Sequence, residues 1–443
     1  MRRSWDRACS HRSYRNTRPV RSHPSHHGAA AAGAVFLNQA ATNLSSAPPV
    51  WTDLTTDETR ANIAMVDQTI RDAVPDSLKI AYAHAAQPAL DAMRKYQDFL
   101  KDSLSQRTGA DWRLGERYSR KFRFAMHGSM EADNMLTDAT RDLAGGRARM
   151  MELALPLHAK IAPSHHDHAD LSGDPRQNQV IGEVLAHIAE CHSSRESYLD
   201  DARNDLDEAR AFVREKHLLT LPEQANLRVV PTPEFERGVY TAGGFDPAPP
   251  QAASKLREYN DYMLRLLSLH EGIPGHYVQF EAAGGIQPAA RRALRARYGS
   301  GPYVEGWAQY GEQMMLEQGF LNHSPELELT FAKQQLRVIA NAILDVRLQM
   351  LNMTDQEALD FLEKQAFQEH QEAVEKLQRA KATAAQLPEY YVGWTQWNKL
   401  RDAIEKAHGP SFNLAGFHDR ALEEGAVPLE ALRQLILQAP RQP

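Results

Sequence analysis

The stretch KLREYNDYMLRLLSLHEGIPGHYVQ, residues 255–279, decides how this chain folds around its most reactive side chains. Leu256, Tyr259, Met263, Leu266, Leu267 and Ile273 recur at helical spacing, so a largely buried helix is expected to carry His270 and Glu271. Pro274 has no amide hydrogen to return to the His270 carbonyl, and Gly275 tolerates unusual dihedrals, so the helix should break before His276. Re-entry into a helix at Pro274, a residue suited to a first turn, would swing His276 back toward His270. Neither Pro274 nor Gly275 supplies core volume, so alanine at both positions is expected to displace His276 while leaving stability nearly unchanged.

A buried His-Glu pair needs a reason. In the zinc-peptidase signature H-E-x-x-H the second histidine falls at i+4 and shares a helix face with the first. Here it falls at i+6, which turns it far away on an unbroken helix. Spacing alone leaves two readings open: a metal site rebuilt by the break, or a kinked core helix with one satisfied histidine. A second segment, YVEGWAQYGEQMMLEQG at 303–319, sets Glu305, Gln309 and Glu312 at i, i+4 and i+7, a polar stripe on an otherwise apolar helix. Glu305 is the candidate third ligand, as in zinc peptidases that take two histidines from one helix and a glutamate from a later one. Glu312 is either a carboxylate supporting a ligand or a surface group.

Outward from these motifs, helical periodicity covers roughly 77–106, 129–161, 175–219, 254–273, 302–319, 325–352, 354–382 and 390–407. The fold class expected is mainly α, a large multi-helix zinc-peptidase-like domain. A small β or extended segment is expected near 226–250, where paired valines, prolines and a Gly-Gly step break the helical pattern. Residues 1–50 read as a disordered or leader segment and 51–443 as one α-helical domain, with a helical lobe at 51–219 and a motif-bearing catalytic lobe at 220–443. In the leader, arginines precede the weakly apolar run GAAAAGAVFL, 28–37, so export stays open, but a cytoplasmic location is favoured.

Composition narrows the function classes. The 443 residues carry a net charge of -6 with both signs interspersed, which argues against nucleic acid as a partner and toward small or peptidic ligands. The mean hydropathy of -0.55 offers no membrane span. Cys9 and Cys191 cannot build a cysteine zinc cage, so any metal would need His and carboxylate ligands.

Four ordered motifs carry a resemblance: HEGIPGHYVQ, YVEGWAQYGEQMMLEQG, PEYYVGWTQWNKLR and GPSFNLAGFHDRALEEGAVPLEALR. Together they resemble the bacterial family catalogued as domain of unknown function eight hundred and eighty-five, whose members look like α-helical zinc metallopeptidases of an HExxPGH type. The likeness is specific over about 220–437 and more diffuse back to about 51. It implies one zinc ion held by His270, His276 and Glu305, with Glu271 as general base and a peptide or peptide-like substrate. The alternative is a non-catalytic helical binding protein that kept the fold.

An amide hydrolase also needs a donor for the developing oxyanion. Tyr390, in the family's Tyr-x-x-Gly element, is the first candidate and His418 the second, each against the plainer reading of a core side chain. Arg401 is a candidate for recognising a substrate carboxylate. Arg337, Asn341, Asp345 and Gln349 fall four apart on an otherwise apolar helix, a stripe expected to face a site. Many relatives carry His where Gln349 stands, and glutamine cannot relay a proton near neutrality, which weakens that role here. The segment APSHHDHAD, 162–170, offers His165, His166 and His168 as a rival metal site, though its composition reads as a solvated loop.

Overall fold

The computed structural model describes residues 26–107, 109–164, 167–222, 227–230 and 259–438. Those residues are almost entirely α-helical and contain no strand. The β or extended segment expected near 226–250 is therefore corrected. Residues 227–230 carry no regular structure, and 226 and 231–250 lie outside the described residues. The preference of Val229 and Val230 for extended backbone makes no sheet without a paired strand beside it.

Two compact units divide the chain, with Arg113 in the first and Leu114 opening the second. In the first, α1 (His26–Asn43), α2 (Pro49–Ala64) and α3 (Lys79–Asp98) follow in order. Leu37, Ala40, Ala41 and Leu44 form an apolar stripe that packs on Tyr96, Leu100 and Leu104. Part of the segment read as a leader is thus a packed helix, while 1–25 lie outside the described residues.

The second unit opens with α4 (Arg117–Ala125), α5 (Ala132–Ile161), α6 (Gly173–Ile188) and α7 (Tyr198–Glu215). The motif-bearing helices follow: α8 (Asp261–Glu271), α9 (His276–Gly284), α10 (Ala289–Arg297), α11 (Gly301–Glu317) and α12 (Pro325–Met350). The chain then continues through α13 (Asp355–Ala366), α14 (His370–Ala382), α15 (Pro388–His408), α16 (Leu414–Glu423) and α17 (Leu429–Gln438). Residues 114–219 fall in this unit together with the motif-bearing helices.

Helix α12 is buried along most of its length. Three of the four residues of its polar stripe are held by partners elsewhere in the fold. Asp345 Oδ2 accepts from the Tyr118 hydroxyl at 2.6 Å and the Ala385 amide at 2.7 Å. Gln349 accepts from the Leu114 amide at 2.9 Å and donates to the Thr383 carbonyl at 3.3 Å. Arg337 pairs with Glu372 at 2.6 Å. The stripe therefore ties α12 to residues 114–118 and 372–385, because a buried polar group must find partners wherever the packing puts them.

Helices α11 and α15 meet backbone to backbone. A Cβ on Gly393 would lie 2.0 Å from the Pro302 carbonyl oxygen, and one on Gly306 would lie 2.3 Å from the Gly393 carbonyl carbon. Only glycine permits that approach. The crossing brings Glu305, next to Gly306, toward the first turn of α15, which carries Tyr390. Beneath it Trp307, Trp397, Tyr303 and Tyr310 are fully buried. The Trp397 indole N–H donates to the Tyr303 carbonyl at 3.0 Å, which fixes the crossing chemically as well as sterically.

Candidate metal centre

The centre is built from a broken helix. Asn260 caps α8, its side chain accepting from the amides of Tyr262 and Met263 at 3.1 Å each. The helix ends after Glu271, where the Gly272 and Ile273 amides both turn back to the Ser268 carbonyl. The Gly275 amide then reaches the Leu269 carbonyl at 3.0 Å, laying the chain over the last turn of α8. A Cβ on Gly275 would stand 1.8 Å from the His270 carbonyl oxygen, so this residue is glycine for lack of room. That corrects the expectation that alanine fits at this position. The next helix starts at His276 rather than at Pro274. From α11, the Trp307 indole N–H donates to the Pro274 carbonyl at 3.0 Å and pins the break.

The outcome is that two histidines six apart face each other, their ring centroids 4.9 Å apart and edge to face. His276 Nε2 lies 3.5 Å from Glu305 Oε2. His270, His276 and Glu305 each offer a ligand atom within 4.8 Å of the others, and all three are partly exposed. Glu312, fully buried about two turns further along α11 than Glu305, accepts from His270 Nδ1 at 2.6 Å. A proton held on Nδ1 leaves the Nε2 lone pair free for a ligand. Gln309, on the same stripe, donates to Glu312 at 3.1 Å and holds that carboxylate in place.

Charge in this site is lopsided. Burial alone would lower the His270 pKa, but its hydrogen bond to Glu312 and the charges of Glu312, Glu271 and Glu305 raise it to about 9. Burial tends to raise Glu305, yet the hydrogen bond and charge of His276, then His270 and Arg379, hold it below the usual carboxylate range. Glu271 is pushed up by burial against the pull of His276 and His270. Three carboxylates around two imidazoles make a place for a cation.

The donor set fits a zinc ion. Ligand atoms bound at about 2.0–2.1 Å in a tetrahedron stand about 3.3 Å apart. The observed 3.5 Å between His276 and Glu305 is close to that separation.

A second group, His158, His168 and Glu183, can also hold a metal by proximity. It is closed by direct bonds. His158 meets Glu183 at 2.7 Å and Asp167 at 2.8 Å, and His168 meets Glu183 at 3.1 Å. Glu183 is lowered to about 2, chiefly by the His158 hydrogen bond. His168 belongs to the histidine-rich loop seen in the sequence, whereas His165 and His166 lie outside the described residues.

The other sequence candidates are spread more widely. Tyr390 is raised to about 12 by burial and then by the charge of Glu305, with Glu271 contributing, so its hydroxyl feels the cluster directly. His418 is fully buried, with Nδ1 donating to the Leu218 carbonyl at 2.7 Å and Nε2 paired with the Tyr310 hydroxyl at 2.8 Å. Arg401 is tied to Glu317 at 2.7 Å, at the far end of α11 from Glu305. Asp345 and Arg337 are held by the α12 contacts above. Sequence reasoning missed Arg379, which donates to the Tyr390 hydroxyl at 3.3 Å. Nothing in its helical surroundings marks it, since only packing sets α14 beside Tyr390.

Fold and cluster together define an α-helical protein with a His-His-Glu centre able to hold a metal. The chain belongs to the family described as bacterial protein of unknown function (DUF885), which matches residues 26–436. It is similar to a solved structure described as a "putative lipoprotein of unknown function from Shewanella oneidensis", at 27% identity and a TM-score of 0.73, covering 94% of this chain and 78% of that one. A "putative lipoprotein from Colwellia psychrerythraea" shares the fold at 20% identity and a TM-score of 0.68, covering 85% of this chain and 66% of that one. No curated protein matches. The cytoplasmic location favoured from the sequence is corrected, since the similar Shewanella oneidensis structure is named a putative lipoprotein. No described helix is long and apolar enough to cross a membrane.

Proposed function

We propose that this protein is a zinc-dependent hydrolase of peptide or peptide-like amide bonds, with His270, His276 and Glu305 holding one ion. The observation that carries this reading is the spacing within the cluster. At 3.5 Å the His276–Glu305 contact matches the separation of two ligands of one ion, whereas the His158 group has closed on itself at 2.7 Å. Two imidazoles and a carboxylate are a donor set that suits zinc. When bound, zinc polarises a carbonyl and lowers the pKa of water toward seven.

The chain's own groups then have defined tasks. Glu271, made more basic by burial, takes a proton from the attacking water and returns it to the leaving amine. Tyr390 keeps its proton at neutral pH and donates to the oxyanion. Glu312 fixes the orientation and tautomer of His270. His418 is given no part in the reaction, because both its ring nitrogens are engaged in the core. By analogy with the similar structures named as lipoproteins, the protein acts outside the cytoplasm.

The test is metal analysis joined to peptide-library cleavage. Purified protein should carry about one zinc per chain and cut peptides, and Glu271→Gln should keep the zinc and lose turnover. Metal-free protein with both histidines intact would favour the non-catalytic binding protein.

A further inference from the structure

Arg379 sits near the end of α14, half-buried, and its hydrogen bonds go to neutral groups. It donates to Gln386 Oε1 at 3.0 Å and to the Tyr390 hydroxyl at 3.3 Å, both neutral acceptors, and lies 5.9 Å from the Tyr390 ring. Among the described residues it has no carboxylate partner. Arg265, Arg337 and Arg401, also half-buried, are each tied to a carboxylate, at 3.1, 2.6 and 2.7 Å. A guanidinium has five N–H donors in a planar fork that matches a carboxylate, and withholding such a partner from a half-buried cation is costly. The site therefore keeps a cation in reserve.

Its position says for what. Arg379 shares a hydrogen bond with Tyr390, the residue assigned to the oxyanion, and its charge reaches Glu305. One residue of extended chain spans about 3.3–3.6 Å. A peptide whose scissile carbonyl lies at Tyr390 thus places the carboxylate of its very next residue within reach of Arg379. The Arg401 side chain, the sequence's candidate for this task, is occupied by Glu317.

We propose that Arg379 binds the free α-carboxylate of the substrate's last residue, which makes the enzyme a remover of single residues from the carboxyl end of peptides. The proposal rests on the hydrolase reading above. Two measurements on the zinc-loaded full chain test both. In the first, a short peptide is offered as the free acid and as its C-terminal amide. The native protein should prefer the acid by at least tenfold in kcat/KM, mostly through KM. Arg379→Gln should erase the preference and Arg379→Lys should restore part of it. A kcat lost equally on both peptides, with the preference intact, would reassign Arg379 to the oxyanion and overturn the proposal. In the second, an N-acetyl amino acid and its amide are titrated calorimetrically, which needs no turnover. Binding of the acid that weakens tenfold or more in Arg379→Gln supports the carboxylate site even if no peptide is cut, in which case only the hydrolase reading falls. Acid and amide bound alike by the native protein would overturn the carboxylate site whatever the turnover.

Discussion

Replacing Gly275 by alanine should damage the metal centre and the fold together. The new Cβ would lie 1.8 Å from the His270 carbonyl oxygen and 2.5 Å from that of Leu269, and it must retreat by about 1.2 Å to reach the 3.0 Å that real Cβ atoms respect. Both obstacles are backbone, so the chain entering α9 has to move and His276 moves with it. A ligand shifted by about 1 Å on a bond of about 2 Å no longer coordinates, and zinc affinity should fall at least a hundredfold. Stability should fall too. The Gly275–Leu269 and Trp307–Pro274 hydrogen bonds are worth about 0.5–1.5 kcal/mol each, and the strain adds about 1–3 kcal/mol, so a loss of about 2–6 kcal/mol is expected. Gly284→Ala is the matched control on the same helix, because nothing lies within 4 Å of its added Cβ. It should be neutral or stabilising by about 0.4–1 kcal/mol. Zinc dissociation by competitive chelation and urea melts check both. Native zinc affinity and stability in Gly275→Ala would refute the claim that backbone crowding positions His276.

Glu305→Ala should weaken zinc binding by orders of magnitude, whereas Glu312→Ala, which removes the carboxylate behind His270, should cost about ten- to a hundredfold; equal losses by competitive chelation would reverse the two assignments. His418 should make the fold acid-sensitive. Burial lowers its pKa to about 4 from the usual 6.5, so between those values the unfolded chain binds more protons. Stability is then complete above about pH 6.5 and falls by up to about 3 kcal/mol as the pH drops to about 4. Urea melts across that window should show a shallower pH slope in His418→Gln, and identical slopes would count against a neutral buried imidazole. Glu183→Gln should cost about 1–3 kcal/mol by weakening charged hydrogen bonds to His158 and His168, without changing a stoichiometry of one zinc per chain; a fall to fewer ions by metal analysis would make that group a metal site.

Local patterns along the chain specify the helices and the point where one of them breaks. Apolar spacing around Met263 and Leu266, and Pro274 with Gly275 after Glu271, are local signals, because helical hydrogen bonds join residues four apart and a missing amide is felt within the same turn. The stripe of Glu305, Gln309 and Glu312 was legible for the same reason. The partner of each stripe was not. The run from Arg337 to Gln349 has the same periodicity, yet Arg337, Asp345 and Gln349 are bound by Glu372, Tyr118, Ala385, Leu114 and Thr383, up to 235 residues away in the chain. Only tertiary packing decided that Glu312 stands behind His270, that Gly306 and Gly393 press two backbones together, and that Arg379 is left beside Tyr390 without a carboxylate. Periodicity fixes which face of a helix is polar, whereas the groups that meet that face depend on close packing between distant segments, which no local pattern encodes.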